Sequence, residues 1–349
     1  MNGKRKIPDR LSGWVEASEA SEDIIISSRV RLARNLSDYP FPNQAEKEDL
    51  FAVREEISSA LEGCAGDIIS YNMEELTLLE KEALIERHLI SRAQSENSRP
   101  RATHINSEQT LSIMINEEDH LRMQFIDAGD KLDTLWERAD SLDDLLEENV
   151  DYAFSDEIGY LTACPTNVGT GMRASVMMHL PGLTMRDSIE KLLGGVGKFG
   201  LTVRGIFGEG TGAEGSIYQL SNQVTLGLSE EDILENLHSI LSQVIAEEKR
   251  ARQKLLAENE YEIKDKIMRA FGILKNGYKI NNLEAVHFLS LLLLGNYYGL
   301  FKELTQKKIL QLLITTRPAH LQLFFDEKMD PTRRDVLRAS LLRDELDEF

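Results

Sequence analysis

Apolar and polar residues alternate along several short segments in the first two thirds of the chain, and this alternation predicts β-strands. In Asp23–Leu32, one face of the predicted strand is apolar or small, and Arg29 and Arg31 lie on the other face. The same pattern predicts further strands over Thr110–Asn116, Arg173–Leu180 and Leu201–Phe207. The last of these strands runs into a glycine-rich loop, Gly208–Gly215.

Helical spacing of apolar residues predicts helices between and after these strands. Asp130–Asn149 carries such a stripe at Leu132, Leu135, Trp136, Ala139, Leu142 and Leu145. Another helix is predicted to begin at Ser229, with Asp232 completing a capping-box-like pair. Glu247–Glu260 is highly charged and predicts a solvated helix that crosses between domains. From Tyr261 onward no strand is predicted, so we expect helices alone.

Length and composition narrow the classes of protein to consider. With 349 residues, 42% of them hydrophobic, we expect one large domain and a smaller one. No apolar run is long enough to span a bilayer, and the polar N-terminus does not resemble a secretory signal. Cys64 and Cys164 form no CxxC pair, which favours a reducing cytoplasm. The net charge of -19 disfavours nucleic acid as a partner unless basic residues cluster locally.

Two glycine-rich segments match the pattern G-x-G-x-x-G but lack the context that a dinucleotide site requires. Gly195–Gly200 follows a helix-like segment, and Gly210–Gly215 precedes a strand-like one, whereas the dinucleotide fingerprint joins a strand to a helix. A Walker A loop also fails, because Leu192 and Phe199 occupy the positions of its first glycine and its serine or threonine. The signatures of ordinary protein kinases are absent as well.

Arginines are the most suggestive polar residues of the predicted strands. Five of them lie in or beside strand-like segments: Arg29, Arg31, Arg122, Arg173 and Arg204. If they converge, their guanidinium forks match the oxygens of a polyphosphate and neutralise charge on a transferring phosphoryl group. The alternative is that each is a surface arginine paired with a nearby acid, and the sequence leaves both open.

Two glutamates and one cysteine are candidates for reaction chemistry. Glu118 lies in a dense acidic run, and Glu209 opens the glycine-rich loop after Arg204. Paired carboxylates can hold a planar guanidinium and accept its proton, which a poor nucleophile of pKa roughly 12.5–13.8 has to lose. Cys164 precedes Pro165 and can support a cationic substrate as a thiolate. The alternatives remain open: the acidic run around Glu118 is a solvated turn, and Cys164 is a small buried thiol.

Taken together, these segments resemble the phosphagen (guanidino) kinase family over about residues 21–250. The resemblance is carried, in order, by Ser27-Ser28-Arg29-Val30-Arg31, His88-Leu89, Asn116-Glu117-Glu118-Asp119-His120-Leu121-Arg122, Cys164-Pro165-Thr166-Asn167-Val168-Gly169-Thr170-Gly171-Met172-Arg173-Ala174-Ser175-Val176, Val203-Arg204-Gly205, Gly208-Glu209, Ser221-Asn222 and Leu226-Gly227-Leu228.

The resemblance implies an α+β fold with a glutamine-synthetase-like antiparallel sheet flanked by helices, followed by an all-helical C-terminal domain. It implies the cofactors ATP and Mg2+ and no protein-bound metal site. The catalytic residues that it implies are Glu118, Glu209 and Cys164. The ATP-binding residues that it implies are Ser27, Ser28, Arg29, Val30, Arg31, His88, Arg122, Arg173, Ala174, Ser175, Val176, Met177, Arg204, Gly205, Ile206, Phe207, Gly208 and Glu209.

Three departures point to the bacterial protein-arginine kinases of this family. Only about twenty residues precede the first motif, where small-molecule members carry a helical domain; Met177 stands where they usually have a histidine; and a helical region follows residue 255. The expected domains are an N-terminal helical extension over 1–20, a catalytic domain over 21–254 and a helical C-terminal domain over 255–349. A small-molecule guanidino kinase and a non-catalytic phosphoarginine-binding adaptor remain as alternatives.

A six-residue segment near the C-terminus also resembles those kinases. It matches RDxxRA and implies an allosteric phosphoarginine site formed by Arg334, Asp335, Val336, Leu337, Arg338 and Ala339. Arg334 and Arg338 are four residues apart on one helix face and can clamp a phosphoryl group. The alternative is a surface helix with an internal Asp335–Arg338 pair.

The resemblance further implies a set of partners and a cellular role. Its expected substrates are proteins with exposed arginines, which are marked for a Clp-type unfoldase–protease during stress. A zinc-binding activator protein and a homo-oligomer of two or more copies are also implied. The expected location is the cytoplasm, with neither nucleic acid nor membrane as a partner.

Overall fold

The computed structural model describes residues 6–8, 10–15, 24–62, 67–96, 98–205 and 213–349, apart from the side chain of Leu193. Ten strands lie within these residues: β1 (Ile25–Arg34), β2 (Ile68–Asn72), β3 (Ala102–Asn106), β4 (Leu111–Ile115), β5 (Leu121–Ala128), β6 (Phe154–Ser155), β7 (Gly159–Tyr160), β8 (Met172–His179), β9 (Leu201–Gly205) and β10 (Ile217–Asn222).

Eight of these strands form one sheet in the order β2-β3-β4-β5-β1-β8-β10-β9, and β6 pairs with β7 in a small hairpin. The pairs from β2 to β5, and β5 with β1, are antiparallel. Side chains of β1 alternate because successive residues of a strand point to opposite faces. Val30 and Leu32 are therefore fully buried on one face, and Arg29 and Arg31 lie on the other. The predicted strands over residues 23–32, 110–116 and 173–180 are confirmed within two residues at each end.

Helices flank the sheet and make up the chain after β10: α1 (Lys47–Glu62), α2 (Leu78–Glu86), α3 (Leu132–Glu147), α4 (Pro181–Met185), α5 (Ile189–Val196), α6 (Glu230–Glu258), α7 (Glu260–Asn276), α8 (Asn282–Tyr297), α9 (Gln306–Thr315), α10 (Pro318–Phe324) and α11 (Pro331–Leu346). The predicted antiparallel sheet with flanking helices, followed by helices alone, is confirmed. Within the described part of the chain, every helix is too short or too polar to traverse a lipid bilayer.

The described residues divide into two compact units. The first contains Met1–Trp14, Ser27–Val176 and Ser221–His238, and the second contains Val15–Ile26, Met177–Leu220 and Ser239–Phe349. In the first unit, α3 packs on β5 through an apolar stripe. Leu146 completes this stripe, whereas the predicted Leu145 is 43% exposed, because 132, 135, 139, 142 and 146 follow the alternating three- and four-residue spacing of a helix face.

The second unit has its own helical core. α7 packs against α8, and Leu255, Ile263, Ile267 and Leu294 form one of its apolar clusters. α8 is buried on most of its surface, which explains its continuous run of leucines. Of the predicted N-terminal helical extension over 1–20, the described residues contain one 3-10 turn, Gly13–Val15. The domain boundaries 1–20, 21–254 and 255–349 stay a prediction.

Two expectations about α6 have different outcomes. The predicted start is confirmed, because Ser229 and Asp232 cap each other's backbone amides at 3.0 and 3.1 Å. The prediction that Glu247–Glu260 is solvated is wrong at Glu248 and Arg252, which are fully buried and paired at 2.6 Å. Glu248 also accepts hydrogen bonds from the first amides of α4, so this charged face covers another helix start.

Candidate active site

Three of the predicted arginines lie on one face of two neighbouring strands. Arg29 and Arg31 belong to β1, and the register of β1 with β5 sets Arg31 opposite Gln124 and Ala33 opposite Arg122. Directly opposed residues share a face, so Arg29, Arg31 and Arg122 lie on the same side of the sheet. Alternation along the strands therefore brings together residues that are about ninety positions apart in sequence.

Arg173 of β8 joins this group. β8 lies next to β1 in the sheet, and Arg29 Nε is 3.4 Å from the hydroxyl of Ser175, two residues after Arg173. Arg173 donates from Nη2 to Ser221 Oγ at 3.1 Å, which orients it along β10. The four arginines Arg29, Arg31, Arg122 and Arg173 are called the arginine cluster below.

The guanidinium groups of the arginine cluster oppose one another's charge. Burial, and then the charges of Arg122 and Arg173, lower the pKa of Arg29 to about 10. Burial, followed by the three other arginines, lowers the pKa of Arg31. Arg31 Nε is buried and has no hydrogen-bond partner among the described residues. A phosphate chain fits this arrangement, because its oxygens accept such donors and its charge offsets the mutual repulsion.

Glu117 is an acid in direct contact with the arginine cluster. It is buried, and its carboxylate accepts from Arg122 Nη1 at 2.6 Å, from Ser91 Oγ at 2.5 Å and from the Glu118 amide at 3.0 Å. Burial raises its pKa, but Arg122 and these hydrogen bonds outweigh burial and hold the pKa below its usual range. Glu117 is thus an ionised residue that orients Arg122.

Glu118 and Cys164, two of the predicted catalytic residues, lie side by side. The Cys164 thiol lies close enough to Glu118 to lower the pKa of its carboxyl, and its sulfur is 3.0 Å from Thr166 Oγ1. Partial burial raises the pKa of Glu118, and Arg122 and the thiol oppose that rise. The Glu118 side chain is otherwise exposed, so it is open to an incoming cationic group. The arrangement offers a carboxylate and a thiol at the edge of an arginine cluster.

Glycines hold the loop between Cys164 and β8 against the end of β1. Gly171 has a φ of +65°, and a Cβ there would lie 2.6 Å from the carbonyl oxygen of Ala33. That close approach permits the hydrogen bond from the Ala33 amide to the Gly171 carbonyl, at 3.0 Å. Only glycine meets both requirements without strain.

His88 adopts an unusual backbone conformation that surrounding residues hold. Its φ is 61°, which is uncommon outside glycine. The carbonyl of Arg87 accepts from Ser12 Oγ at 3.1 Å and from the Trp14 indole at 2.9 Å, and the His88 carbonyl accepts from Gln124 at 2.7 Å. The Trp14 and His88 rings meet edge to face with centroids 5.3 Å apart. The N-terminal segment thus fixes the peptide groups on which His88 is mounted.

The other predicted nucleotide residues occupy several environments. Ser27 and Met177 are buried, and Ser175 lies beside Arg29. Ser28, Val30, Ala174 and Val176 are fully buried or nearly so, on the strand faces opposite the arginines. Ser28 donates to the Gly129 carbonyl at 2.8 Å, so its hydroxyl joins β1 to the segment after β5. Direct contact between any of these predicted residues and a nucleotide stays a prediction.

The remaining predicted residues lie in the second unit or outside the described residues. Arg204 is exposed on β9, and Gly205 ends that strand. Ile206, Phe207, Gly208 and Glu209 lie outside the described residues.

The RDxxRA segment lies on α11, in the second unit. Arg338 is buried and donates to the carbonyls of Thr316 at 2.7 Å and Ile280 at 3.0 Å, and to Asp335 at 2.8 Å. Arg334 is partly buried and donates to the Met329 carbonyl at 3.1 Å. Val336 and Leu337 are partly buried and Ala339 is fully buried. The internal Asp335–Arg338 pair is present, and a role in phosphoarginine binding stays a prediction.

Sequence reasoning missed several residues that shape this site. Glu117 was one member of an acidic run, and only its ion pair with Arg122 distinguishes it from the other buried acid of that run, Asp119. Ser91, Ser12 and Trp14 lie in segments with no motif at all. Their contacts are long-range, so no local pattern could have found them.

Two family models match most of the chain after residue 51. Residues 52–251 match the ATP:guanido phosphotransferase C-terminal catalytic domain, and residues 260–349 match the protein-arginine kinase McsB C-terminal domain. In structure, the chain resembles lombricine kinase with a TM-score of 0.59 and 26% identity, over 76% of this chain and 75% of that one. The chain also resembles the substrate-free duplicated taurocyamine kinase from Schistosoma mansoni, with a TM-score of 0.58 and 24% identity, over 80% of this chain and 42% of that one. At this identity the similarity shows the fold alone. The fold and the site define a guanidino kinase.

Two relatives of this chain carry a more specific name than guanidino kinase. A protein-arginine kinase from Halothermothrix orenii is 46% identical over 99% of each chain. Another from Caldanaerobacter subterraneus is 45% identical over 94% of this chain and 98% of its own. The chain belongs to the ATP:guanido phosphotransferase family, and these two relatives are protein-arginine kinases.

Proposed function

We propose that this chain is a protein-arginine kinase that transfers the γ-phosphoryl group of ATP to arginine side chains of proteins. The observation that carries the proposal is the arginine cluster beside Glu118 and Cys164, in which Arg122 and Arg173 help to lower the pKa of Arg29 and of Arg31. The full-length similarity to protein-arginine kinases supports a protein as the acceptor.

The reaction forms a bond between a guanidinium nitrogen and the γ-phosphorus and breaks the bond from that phosphorus to the bridging oxygen of ADP. The nitrogen loses one proton to the Glu118 carboxylate, and Glu118 and Glu209 both hold the guanidinium plane. Cys164 lies beside Glu118 and stabilises the cationic acceptor. The arginine cluster, with Arg204, neutralises charge that spreads over the phosphoryl oxygens in the transition state.

The residues fit ATP and are consistent with Mg2+ that arrives with it. The arginine cluster supplies donors for the phosphates, and His88 is held in a fixed orientation for the nucleotide. Among the described residues no group of three His, Cys, Asp or Glu side chains could hold a metal ion. Mg2+ usually keeps waters and binds through substrate phosphates with one or two carboxylates, so such a group is not required.

The decisive assay offers the protein ATP together with a folded protein substrate and, separately, free arginine. We expect acid-labile phosphate on protein arginines, located by mass spectrometry at mild pH. Glu118→Gln should lower kcat by about a hundredfold or more, because it removes a proton acceptor. Glu55→Gln, at an acid whose side chain is 75% exposed, is the matched control. Turnover of free arginine alone would identify a small-molecule guanidino kinase, and binding of phosphoarginine without any transfer would identify an adaptor.

The pH dependence gives a second check on Glu118. Burial first, and the neighbouring acids next, raise its pKa, and the working form is the deprotonated one. The rate should therefore fall as pH decreases through a value above that of an ordinary glutamate. Glu118→Gln should flatten this acid limb of the profile, and an unchanged limb would assign it to another group.

Family membership also supports a wider role. We propose that the modified proteins are marked for a Clp-type unfoldase–protease in the stress response, that a zinc-binding protein activates the kinase, and that two or more copies assemble in the cytoplasm. Arg334 and Arg338 are proposed to bind phosphoarginine as an allosteric effector. Calorimetry with free phosphoarginine on the wild type and on Arg334→Ala tests this site, because Arg334 is the less buried of the two.

A further inference from the structure

One oxygen atom connects the segment that carries Glu118 to the segment that carries Cys164, the two residues proposed to bind the acceptor guanidinium. Asp119 Oδ1 accepts a hydrogen bond from the Ala163 amide at 2.7 Å. Asp119 directly follows Glu118, and Ala163 directly precedes Cys164. Each of the two reactive side chains is therefore one residue away from this hydrogen bond, and Asp119 is buried, so water does not compete for it.

Asn35 connects the same oxygen to the strand that carries the arginines. Its Nδ2 donates to Asp119 Oδ1 at 2.7 Å and to the Leu161 carbonyl at 3.1 Å, and its Oδ1 accepts from the His120 amide at 2.9 Å. Asn35 follows the last residue of β1 and is 1% exposed. One side chain thus bridges β1, the acidic segment and the segment before Cys164.

His120 forms a further link between the acidic segment and the chain that follows β1. Its Nδ1 accepts from the Leu36 amide at 3.1 Å, and its Nε2 is 3.1 Å from the Pro40 carbonyl, to which the neutral ring donates. Burial lowers the pKa of His120 to about 4, so the ring is neutral near pH 7. The residue after Asp119 is thereby also fixed to the segment that follows β1.

We infer that Asn35 and Asp119 are positioning residues, which hold Glu118 and Cys164 in place relative to the arginines of β1; this inference rests on the function proposed above. Neither side chain needs to touch a substrate. Without these hydrogen bonds, Asp119 and the Ala163 amide lose their direct link to each other and to the end of β1. The links that remain, such as the pairing of β1 with β5 and the bond from the Ala33 amide to Gly171, act at other residues of the two segments. Displacement of the acceptor guanidinium by about 1 Å from the phosphoryl group can cost about a hundredfold in rate.

Kinetics separate this role from a purely structural one. Asp119→Ala should lower kcat/KM for the protein substrate about a hundredfold, with the KM for ATP changed by less than about twofold. Asp119→Asn keeps an acceptor oxygen and should stay within about fivefold of the wild type. Asn35→Ala, which leaves the bond to Ala163, should lose about tenfold. Asn276→Ala, at an exposed asparagine of α7, is the control and should behave as wild type. Equal losses in the two Asp119 variants, or parallel rises in both KM values, would overturn the inference.

Alkylation of Cys164 tests the same geometry without ATP or substrate. Iodoacetamide modification, followed by mass spectrometry of the Cys164 peptide, keeps this thiol distinct from Cys64. Asp119→Ala should raise the rate about fivefold because its segment loses a buried hydrogen bond, and Asp119→Asn should match the wild type. An unchanged rate in Asp119→Ala, at a temperature where the variant is folded, refutes the inference. If the wild type transfers no phosphate, the proposed function fails, and the alkylation rates still decide whether Asp119 fixes Cys164.

Discussion

A buried ion pair below the Cys164–Gly171 loop supports a quantitative prediction. Arg34 is 1% exposed and donates from Nε and Nη2 to Asp143 Oδ2 at 3.0 and 2.5 Å. Its Nη1 donates to the Thr170 carbonyl at 3.0 Å, and its guanidinium lies 3.5 Å from the centre of the Tyr160 ring. Arg34→Met keeps much of the side-chain volume and removes every one of these interactions.

The magnitude follows from the burial of both partners. Loss of one member of a buried pair leaves the other charge uncompensated and costs about 3–5 kcal/mol of unfolding free energy. In the double variant Arg34→Met/Asp143→Leu no charge is left unpaired, so its cost should be about 2 kcal/mol less than that of the single Arg34 variant. An exposed pair contributes little to stability because water and salt screen it, which makes Lys6→Met the control, since Lys6 and its partner Glu75 are 47% and 55% exposed.

Tryptophan fluorescence during urea unfolding is the assay, because both tryptophans, Trp14 and Trp136, lie in the first unit with Arg34 and Asp143. The free energy of unfolding is obtained by linear extrapolation for the wild type, the single variants and the double variant. A loss below about 1 kcal/mol for Arg34→Met, or single losses that simply add in the double variant, would contradict the reasoning.

Three further predictions concern other parts of the first unit. Gly171→Ala should lower stability by about 2 kcal/mol and reduce the melting temperature, because it combines positive φ with a clash at the Ala33 carbonyl. Trp14→Phe keeps a ring beside His88 but removes the indole donor, so the Kd for ATP should rise about fivefold while the KM for protein substrate is unchanged. His120 has a pKa of about 4 when folded and 6.5 when unfolded, so its contribution to stability should be lost as pH falls from 6.5 to about 4. Urea unfolding across that range should show a shallower decline in His120→Gln.

The arginine cluster illustrates how an acidic chain can form a local site suited to a polyanion. The formal charge is -19, yet four guanidinium groups converge and Glu117 is the acid hydrogen-bonded to Arg122. Local geometry therefore outweighs net charge, because Coulomb interactions at a few ångströms in a poorly solvated site exceed those of distant, screened surface acids. The same reasoning explains why composition alone was a weak guide to ligand class.

Patterns of short range were read correctly from the sequence. The alternation along β1 set Arg29 and Arg31 apart from Val30 and Leu32, and the Ser229 cap marked the start of α6. Failures occurred where burial depends on a distant segment, as at Glu248, whose carboxylate caps a helix sixty-odd residues away. The sequence around a charged residue does not show whether it is buried, because the residues that bury it are distant in the chain.

By itself the sequence determined β1, β4 and β8, the helix α3 and the start of α6, the strand face of Arg29 and Arg31, and the motifs that indicate a guanidino kinase. These features depend on local backbone geometry, in which side chains repeat every two residues in a strand and every 3.6 residues in a helix. Only the tertiary structure decided that Glu117 orients Arg122 and that Asn35 joins Asp119 to β1. Those contacts depend on which strands pair and in what register, and pairing is set by the whole chain at once rather than by any one segment.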